Sequence, residues 1–85
     1  MFFFYTLQSL KDKDLYFGYT SDLQKRVKEH NNGNVSSTEN RKPFDVVYYE
    51  AYKSEQDARE RERQIKRRAG ALISLKRRIK RSISN

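Results

Sequence analysis

The 85-residue sequence reads as an α+β domain, a small three-stranded antiparallel sheet flanked by helices in the order ββαβαα. Three observations predict this. Two strand-like runs, residues 2–8 and 14–19, stand close together at the start. A 3.6-residue apolar period begins directly after the second run. A third aromatic and β-branched run, Phe44–Tyr52, is followed by helical periodicity over the rest of the chain.

In the first run, FFFYTL, Phe3, Tyr5 and Leu7 share one face and Phe2 and Phe4 the other. Apolar groups on both faces place this strand in the middle of the sheet. The polar stretch 9–14 joins it to the second run as a hairpin, so the two are antiparallel neighbours. In the second strand Tyr16 and Gly18 point one way and Leu15, Phe17 and Tyr19 the other, and Gly18 leaves a bare patch beside Tyr16 where a ligand could approach the backbone.

Ser21-x-x-Gln24 is a capping signal for a helix from Asp22 to about Asn31. Leu23 and Val27 form its buried stripe, while Arg26 and His30, four residues apart, share a neighbouring flank. A phenol, a guanidinium and an imidazole thus face one pocket; the alternative reading of the same spacing is a surface arginine and a half-buried tyrosine.

Asn31, Asn32 and Gly33 read as the helix C-cap and turn, opening a loop of about a dozen residues rich in Asn, Ser and Thr, long enough to suspect function or mobility. After the third strand, Ser54-x-x-Asp57 begins a second helix whose apolar stripe reads Ala58, Ile65, Ala69, Leu72. Glu62 stands where that stripe calls for an apolar residue, and a carboxylate there needs a reason, because burying an unpaired charge is costly. Glu60 falls on the outer face. Gly70 interrupts the pattern, and a third helix from about residue 71 to 82 turns Leu72, Leu75 and Ile79 inward.

The length supports a single domain, residues 1–85, with a basic helical segment at about 70–85. The absence of Cys removes a disulfide framework and a thiolate zinc site, and with one His any metal must rest on oxygen ligands. The apolar start is too short for a signal peptide or a membrane span, so the expectation is a cytoplasmic protein with no membrane partner.

The net charge of +8 is uneven. Residues 59–81 hold eleven Lys or Arg against two Glu, a local +9, whereas residues 1–58 sum to −1. A basic segment on a near-neutral body predicts a polyanion partner, nucleic acid first; the plainer alternative is a solubilising tail. Lys25, Lys66, Arg67, Arg68, Lys76, Arg77, Lys80 and Arg81 are the candidate nucleic-acid contacts.

Four motifs, in order, then resemble the GIY-YIG nuclease superfamily, most closely its short single-domain bacterial members. Phe3-Phe4-Tyr5 stands at the GIY position, Tyr16-Phe17-Gly18 at the YIG position, Thr20 to Gly33 at the helix with its Arg and His, and Ala58-x-x-x-Glu62-x-x-Ile65-Lys66 at the helix with the catalytic Glu. The resemblance implies hydrolysis of a phosphodiester, in DNA before RNA, helped by one Mg²⁺ or Mn²⁺ ion. It implies that Tyr5 and Tyr16 position or deprotonate the attacking water, Arg26 stabilises the phosphorane charge, Glu62 holds the metal and His30 supports one of the tyrosines. FFY replaces the small first residue of GIY. The Asn that longer members carry beyond the catalytic helix has no counterpart in RRAGALISLKRR, and Lys66 is a candidate to take its place.

The chemistry of phosphodiester cleavage asks for the same groups: a base near the water, a fixed cation at the phosphorane and a metal or acid for the leaving oxygen. Arginine suits the second part because it is always charged and forks two donors toward phosphate. A lone carboxylate suffices for Mg²⁺, which keeps most of its waters. A rival from another class is a catalytically inactive basic DNA- or RNA-binding module on the same scaffold. A monomer is the favoured state.

Overall fold

Strand β1 (Phe2–Ser9) lies in the middle of a three-stranded sheet, with β2 (Leu15–Thr20) and β3 (Phe44–Tyr52) antiparallel on either side of it. The structure, a computed structural model, describes residues 1–84. The other elements are the helices α1 (Leu23–Asn31), α2 (Glu55–Arg67) and α3 (Ala69–Arg78), with a 3₁₀ turn at Glu39–Arg41. The element order and sheet are those the sequence predicts.

Every β1 residue from Phe4 to Ser9 is buried, because helices cover both faces of the strand. On one face Tyr5, Leu7 and Phe44 pack with Tyr16 and with Leu23 and Val27 of α1. On the other, Phe4 packs with Ile65 of α2, with Leu75 of α3 and with Ile79 just past its end, joined by Phe17, Tyr48 and Leu72. Each fully buried aliphatic or Phe side chain contributes roughly 1.5–3 kcal/mol. A β-bulge opposite Thr6 and Leu7 leaves Val47 unpaired and sends it into the Phe4 cluster, which reconciles the run of bulky residues in β3 with two faces.

Several local readings are corrected. The α1 cap is Asp22, whose carboxylate accepts from Lys25 N at 3.1 Å; Ser21 lies outside. Ser54 caps α2 by backbone position alone, without a side-chain bond. The break between the last two helices falls at Arg68, which is extended (φ −118°, ψ 110°), so Gly70 lies in the first turn of α3 and Ala69 is exposed rather than part of the stripe. Helix α3 ends at Arg78, so the predicted basic helical segment is shorter than residues 70–85, and Lys80 and Arg81 sit in the turn that follows.

Arg61 takes an inward position that the apolar pattern does not reveal. Its guanidinium lies 5.8 Å from the Phe4 ring centroid and its Nε donates to Glu50 at 3.0 Å. The Glu50 carboxylate also accepts from the Tyr48 hydroxyl at 2.6 Å and from the Tyr52 hydroxyl. The loop after α1 is held too. Asn31 exchanges two bonds with Phe44, and the Ser9 hydroxyl donates to Arg41 O at 2.6 Å. The end of the described chain closes onto the sheet, where the buried Gln8 amide accepts from Ser84 N at 2.9 Å and donates to Ser84 O.

Burial alone pushes the Glu50 pKa up, but its bonds from Tyr48, Tyr52 and Arg61 outweigh burial and hold it below the usual value. A depressed carboxyl stabilises the fold above its unfolded pKa and loses that stabilisation as pH falls through the folded pKa. Urea unfolding should therefore show the wild type losing stability on acidification below about pH 4.3, the usual glutamate value. E50Q should cost about 2 kcal/mol at pH 7 and lack that acid-side component. An unchanged pH profile in E50Q would sink this account.

Candidate active site

The β1–β2 register sets Tyr5 opposite Gly18 and Leu7 opposite Tyr16. Directly opposed residues in an antiparallel pair share a face, so Tyr5 and Tyr16 are diagonal neighbours on the α1 side of the sheet. A Cβ on Gly18 would stand 2.5 Å from the Tyr5 hydroxyl oxygen and 2.6 Å from Cζ. The bare patch expected at Gly18 is thus occupied, and its occupant is the Tyr5 phenol rather than a ligand. Tyr5 is 1 % exposed.

His30, in the last turn of α1, is fully buried instead of lying on a flank. Its Nε2 is 3.0 Å from the Tyr5 hydroxyl and its Nδ1 2.8 Å from the Thr38 hydroxyl. The Tyr16 ring meets it edge-on at 5.1 Å between centroids. Burial pushes the imidazole pKa down to about 4, with the Arg26 charge adding to the effect and Glu29 opposing it. The ring is neutral at neutral pH and serves as a hydrogen-bonding group.

Burial raises the Tyr5 pKa; the adjacent Arg26 guanidinium pulls the other way, and Tyr16 and Glu62 add to the rise. Arg26 is half-exposed and bonded to Glu29 at 3.2 Å. Burial works against its charge, but Tyr5 and Glu29 outweigh this and keep the guanidinium charged. Tyr5, Tyr16, Arg26, His30 and Glu62, from β1, β2, α1 and α2, are therefore neighbours.

Glu62 is partly covered, 24 % exposed, and bonds to Lys66 through Oε2 at 3.3 Å; its Oε1 has no hydrogen bond among the described residues. Lys66 Nζ also lies 5.8 Å from the Tyr16 ring centroid, so this lysine belongs to the site itself. Among the described residues no three His, Cys, Asp or Glu side chains cluster as a metal cage. A divalent ion would take Glu62 as its protein ligand and fill its shell with water and substrate oxygens, a donor set that suits Mg²⁺.

Around Glu62 a cleft is lined by Tyr19, Arg59, Arg63, Lys66 and Arg67. Arg59 stacks its guanidinium 5.6 Å from the Tyr19 ring centroid. Arg59 and Arg63 are basic groups beside the site that the sequence reading does not single out, although their spacing with Lys66 and Arg67 puts them on one helical flank. Lys25, Arg67, Arg68, Lys76, Arg77, Lys80 and Arg81 are all exposed. Sequence reasoning also misses Glu29 and Thr38. Glu29 has only its i,i+3 spacing from Arg26 as a signal, and Thr38 has none beyond its place in a long polar loop.

Because the phenol rests on Gly18, G18A should displace Tyr5 and lower stability by about 1–3 kcal/mol. Y5L in the G18A background should then cost less than the two single changes together, a coupling readable in a double-mutant cycle of urea unfolding. Strict additivity would mean that the two residues do not constrain each other.

The profile of the GIY-YIG catalytic domain matches residues 1–80. A UPF0213 protein of Clostridium perfringens is 43 % identical over 58 residues, covering 67 % of this chain and 62 % of its own length. A UPF0213 protein of Pediococcus pentosaceus is 40 % identical over 68 residues, covering 79 % and 70 %. The solution structure of a UPF0213 protein from Bacillus halodurans is 33 % identical, covers 89 % of this chain and 86 % of that one, and superposes with a TM-score of 0.49. The chain spans less than two thirds of the Clostridium relative. No helix among the described residues is long and apolar enough to cross a membrane. With the profile covering nearly its whole length, the chain belongs to the GIY-YIG catalytic domain family.

Proposed function

We propose that this chain is a metal-dependent endonuclease that hydrolyses phosphodiester bonds in DNA, with residues 1–85 acting as one catalytic domain. The observation that carries the reading is the gathering of two phenols, a charged guanidinium, a neutral imidazole and, linked to Tyr16 through Lys66, a carboxylate with one oxygen unbonded among the described residues. Together these groups can supply the base, the fixed cation and the metal ligand that phosphodiester hydrolysis uses, and a module that only binds nucleic acid needs few of them.

In this reading Tyr5 and Tyr16 orient the attacking water, and the neutral imidazole of His30 takes the Tyr5 hydrogen so that the phenol oxygen is left free to accept. Arg26, half-exposed and held by Glu29, stabilises the extra charge of the phosphorane. Glu62 would hold one Mg²⁺ or Mn²⁺ ion, which supplies Lewis-acid stabilisation of a phosphate oxygen. Lys66 is released from Glu62 toward the substrate phosphate, in the part that longer family members give to an Asn. The exposed cations Lys25, Arg67, Arg68, Lys76, Arg77, Lys80 and Arg81 contact the DNA backbone.

Purified protein with Mg²⁺ or Mn²⁺ should cut at least one of single-stranded, duplex, flapped or branched DNA. Binding without cleavage across that panel and RNA would favour the inactive binding module. E62Q should abolish cleavage while the fold and DNA binding persist, and E62Q cutting at the parent rate would remove the metal role. R26A should slow cleavage roughly 10²–10³-fold with little loss of binding, and R26K should restore little of it. Equal losses in rate and binding would mark Arg26 as an ordinary phosphate contact.

DNA affinity should fall steeply with salt and vary little with sequence. Replacing Lys76, Arg77, Lys80 and Arg81 together by Gln should weaken binding and flatten the salt slope by roughly one unit for each phosphate that is no longer neutralised. A salt-independent Kd would refute the electrostatic account.

A further inference from the structure

We propose that Thr38 is a positioning residue for this site. Through Nδ1 of His30 it holds the imidazole in the tautomer whose Nε2 accepts the Tyr5 hydrogen, and so turns the lone pairs of the Tyr5 oxygen toward Arg26 and the substrate. The kinetic consequence rests on the nuclease reading above; the tautomer itself stands on the hydrogen bonds of a fully buried, neutral ring.

At the Tyr5 end of the network Arg26, beside the phenol, can only donate. Among the described residues His30 Nε2 is the one acceptor in hydrogen-bond range of the Tyr5 hydroxyl. The phenolic hydrogen therefore points at Nε2, which must be bare. A neutral imidazole then carries its hydrogen on Nδ1, and that hydrogen meets Thr38 Oγ1 at 2.8 Å. The Thr38 hydroxyl passes its own hydrogen to Val35 O at 3.3 Å. Every hydrogen in the chain Tyr5–His30–Thr38–Val35 has an acceptor. In the opposite tautomer Nε2–H faces the phenol oxygen, and the Tyr5 hydrogen is left buried without a partner.

Thr38 is built to hold that position. It is fully buried in an otherwise largely exposed loop. Its backbone N–H donates to Val35 O at 3.0 Å, and its carbonyl accepts from Arg41 N at 2.9 Å. Arg41 is in turn tied to β1 through the Ser9 hydroxyl. The side chain is thus fixed against the sheet that carries Tyr5.

His30 is the only histidine in the chain, so a protein labelled with ¹⁵N in its imidazole gives the spectrum of one ring. Long-range ¹H–¹⁵N correlation of the full chain at neutral pH should show a protonated Nδ1 and a pyridine-like Nε2. T38V keeps the branched shape and removes the acceptor; the two nitrogens should then move toward averaged positions. In the DNA-cleavage assay its kcat should fall roughly 10- to 100-fold with KM unchanged, part of what a positioned acid–base group contributes. T38S, which keeps the hydroxyl, should retain the wild-type tautomer and most of the rate.

A wild-type ring protonated on Nε2 overturns the proposal. So does a T38V protein with the wild-type tautomer and rate, or a folded T38S protein that has lost the tautomer. If the wild type cuts no substrate the nuclease reading falls, and the tautomer comparison between wild type, T38V and T38S still decides whether Thr38 orients the ring.

Discussion

The phenol of Tyr5 lies against the bare backbone of Gly18, closer than any side chain on that residue would allow. This seat is made by the pairing of β1 with β2, and it carries the Tyr5 hydroxyl to within 3.0 Å of His30. His30 is in turn braced by Thr38 from the loop and by the edge of Tyr16 from the neighbouring strand. Four segments distant in sequence are joined through one ring and one missing Cβ. Tyr5 is at once a core residue and a polar group, and its hydroxyl costs little to bury because a neutral imidazole receives it.

Much of this is legible in the residues. Period-two alternation with apolar groups on both faces marks β1 as central, and the hairpin allows Tyr5 and Tyr16 to share a face; the register that sets Tyr5 opposite Gly18 decides it, since a slip of one residue would put them on opposite faces. What escapes such reading is chemistry decided by a single competing neighbour. Asp22 displaces Ser21 as the cap because its carboxylate reaches Lys25 N. The helix breaks at Arg68, not at Gly70, since glycine permits a break without requiring one. Thr38 and the partnership of Arg61 with Glu50 depend on direct side-chain bonds across 8 and 11 residues of chain, which no local pattern encodes.

The basic character of the second half is also more structured than its charge sum suggests. Arg61, Arg63 and Lys66 are paired with Glu50, Glu60 and Glu62, so much of the charge on α2 is answered within the fold. The exposed Arg63–Glu60 and Lys66–Glu62 pairs are worth little to stability, unlike the partly buried Arg61–Glu50 pair, but all three fix where the side chains point. The cations of α3 and the following turn, Lys76, Arg77, Arg78, Lys80 and Arg81, have no such partner among the described residues. Unanswered charge thus runs through α3 and the turn after it, while beside Glu62 the paired Arg63 and Lys66 stand with Arg59 and Arg67, which have no ion pair among the described residues.

The bonds between Gln8 and Ser84 give this unanswered charge a mechanical setting. A run of cations at the end of a chain is ordinarily a tether, searching a volume and settling on a polyanion at an entropic cost. Here the segment is anchored at both ends, by the packing of Leu75 and Ile79 against Phe4 and by the backbone of Ser84 on the amide of Gln8. It behaves as a plate with its charges at set intervals. The last helix is therefore stitched to the first strand, and the two should open and close as one cooperative unit rather than fray in sequence.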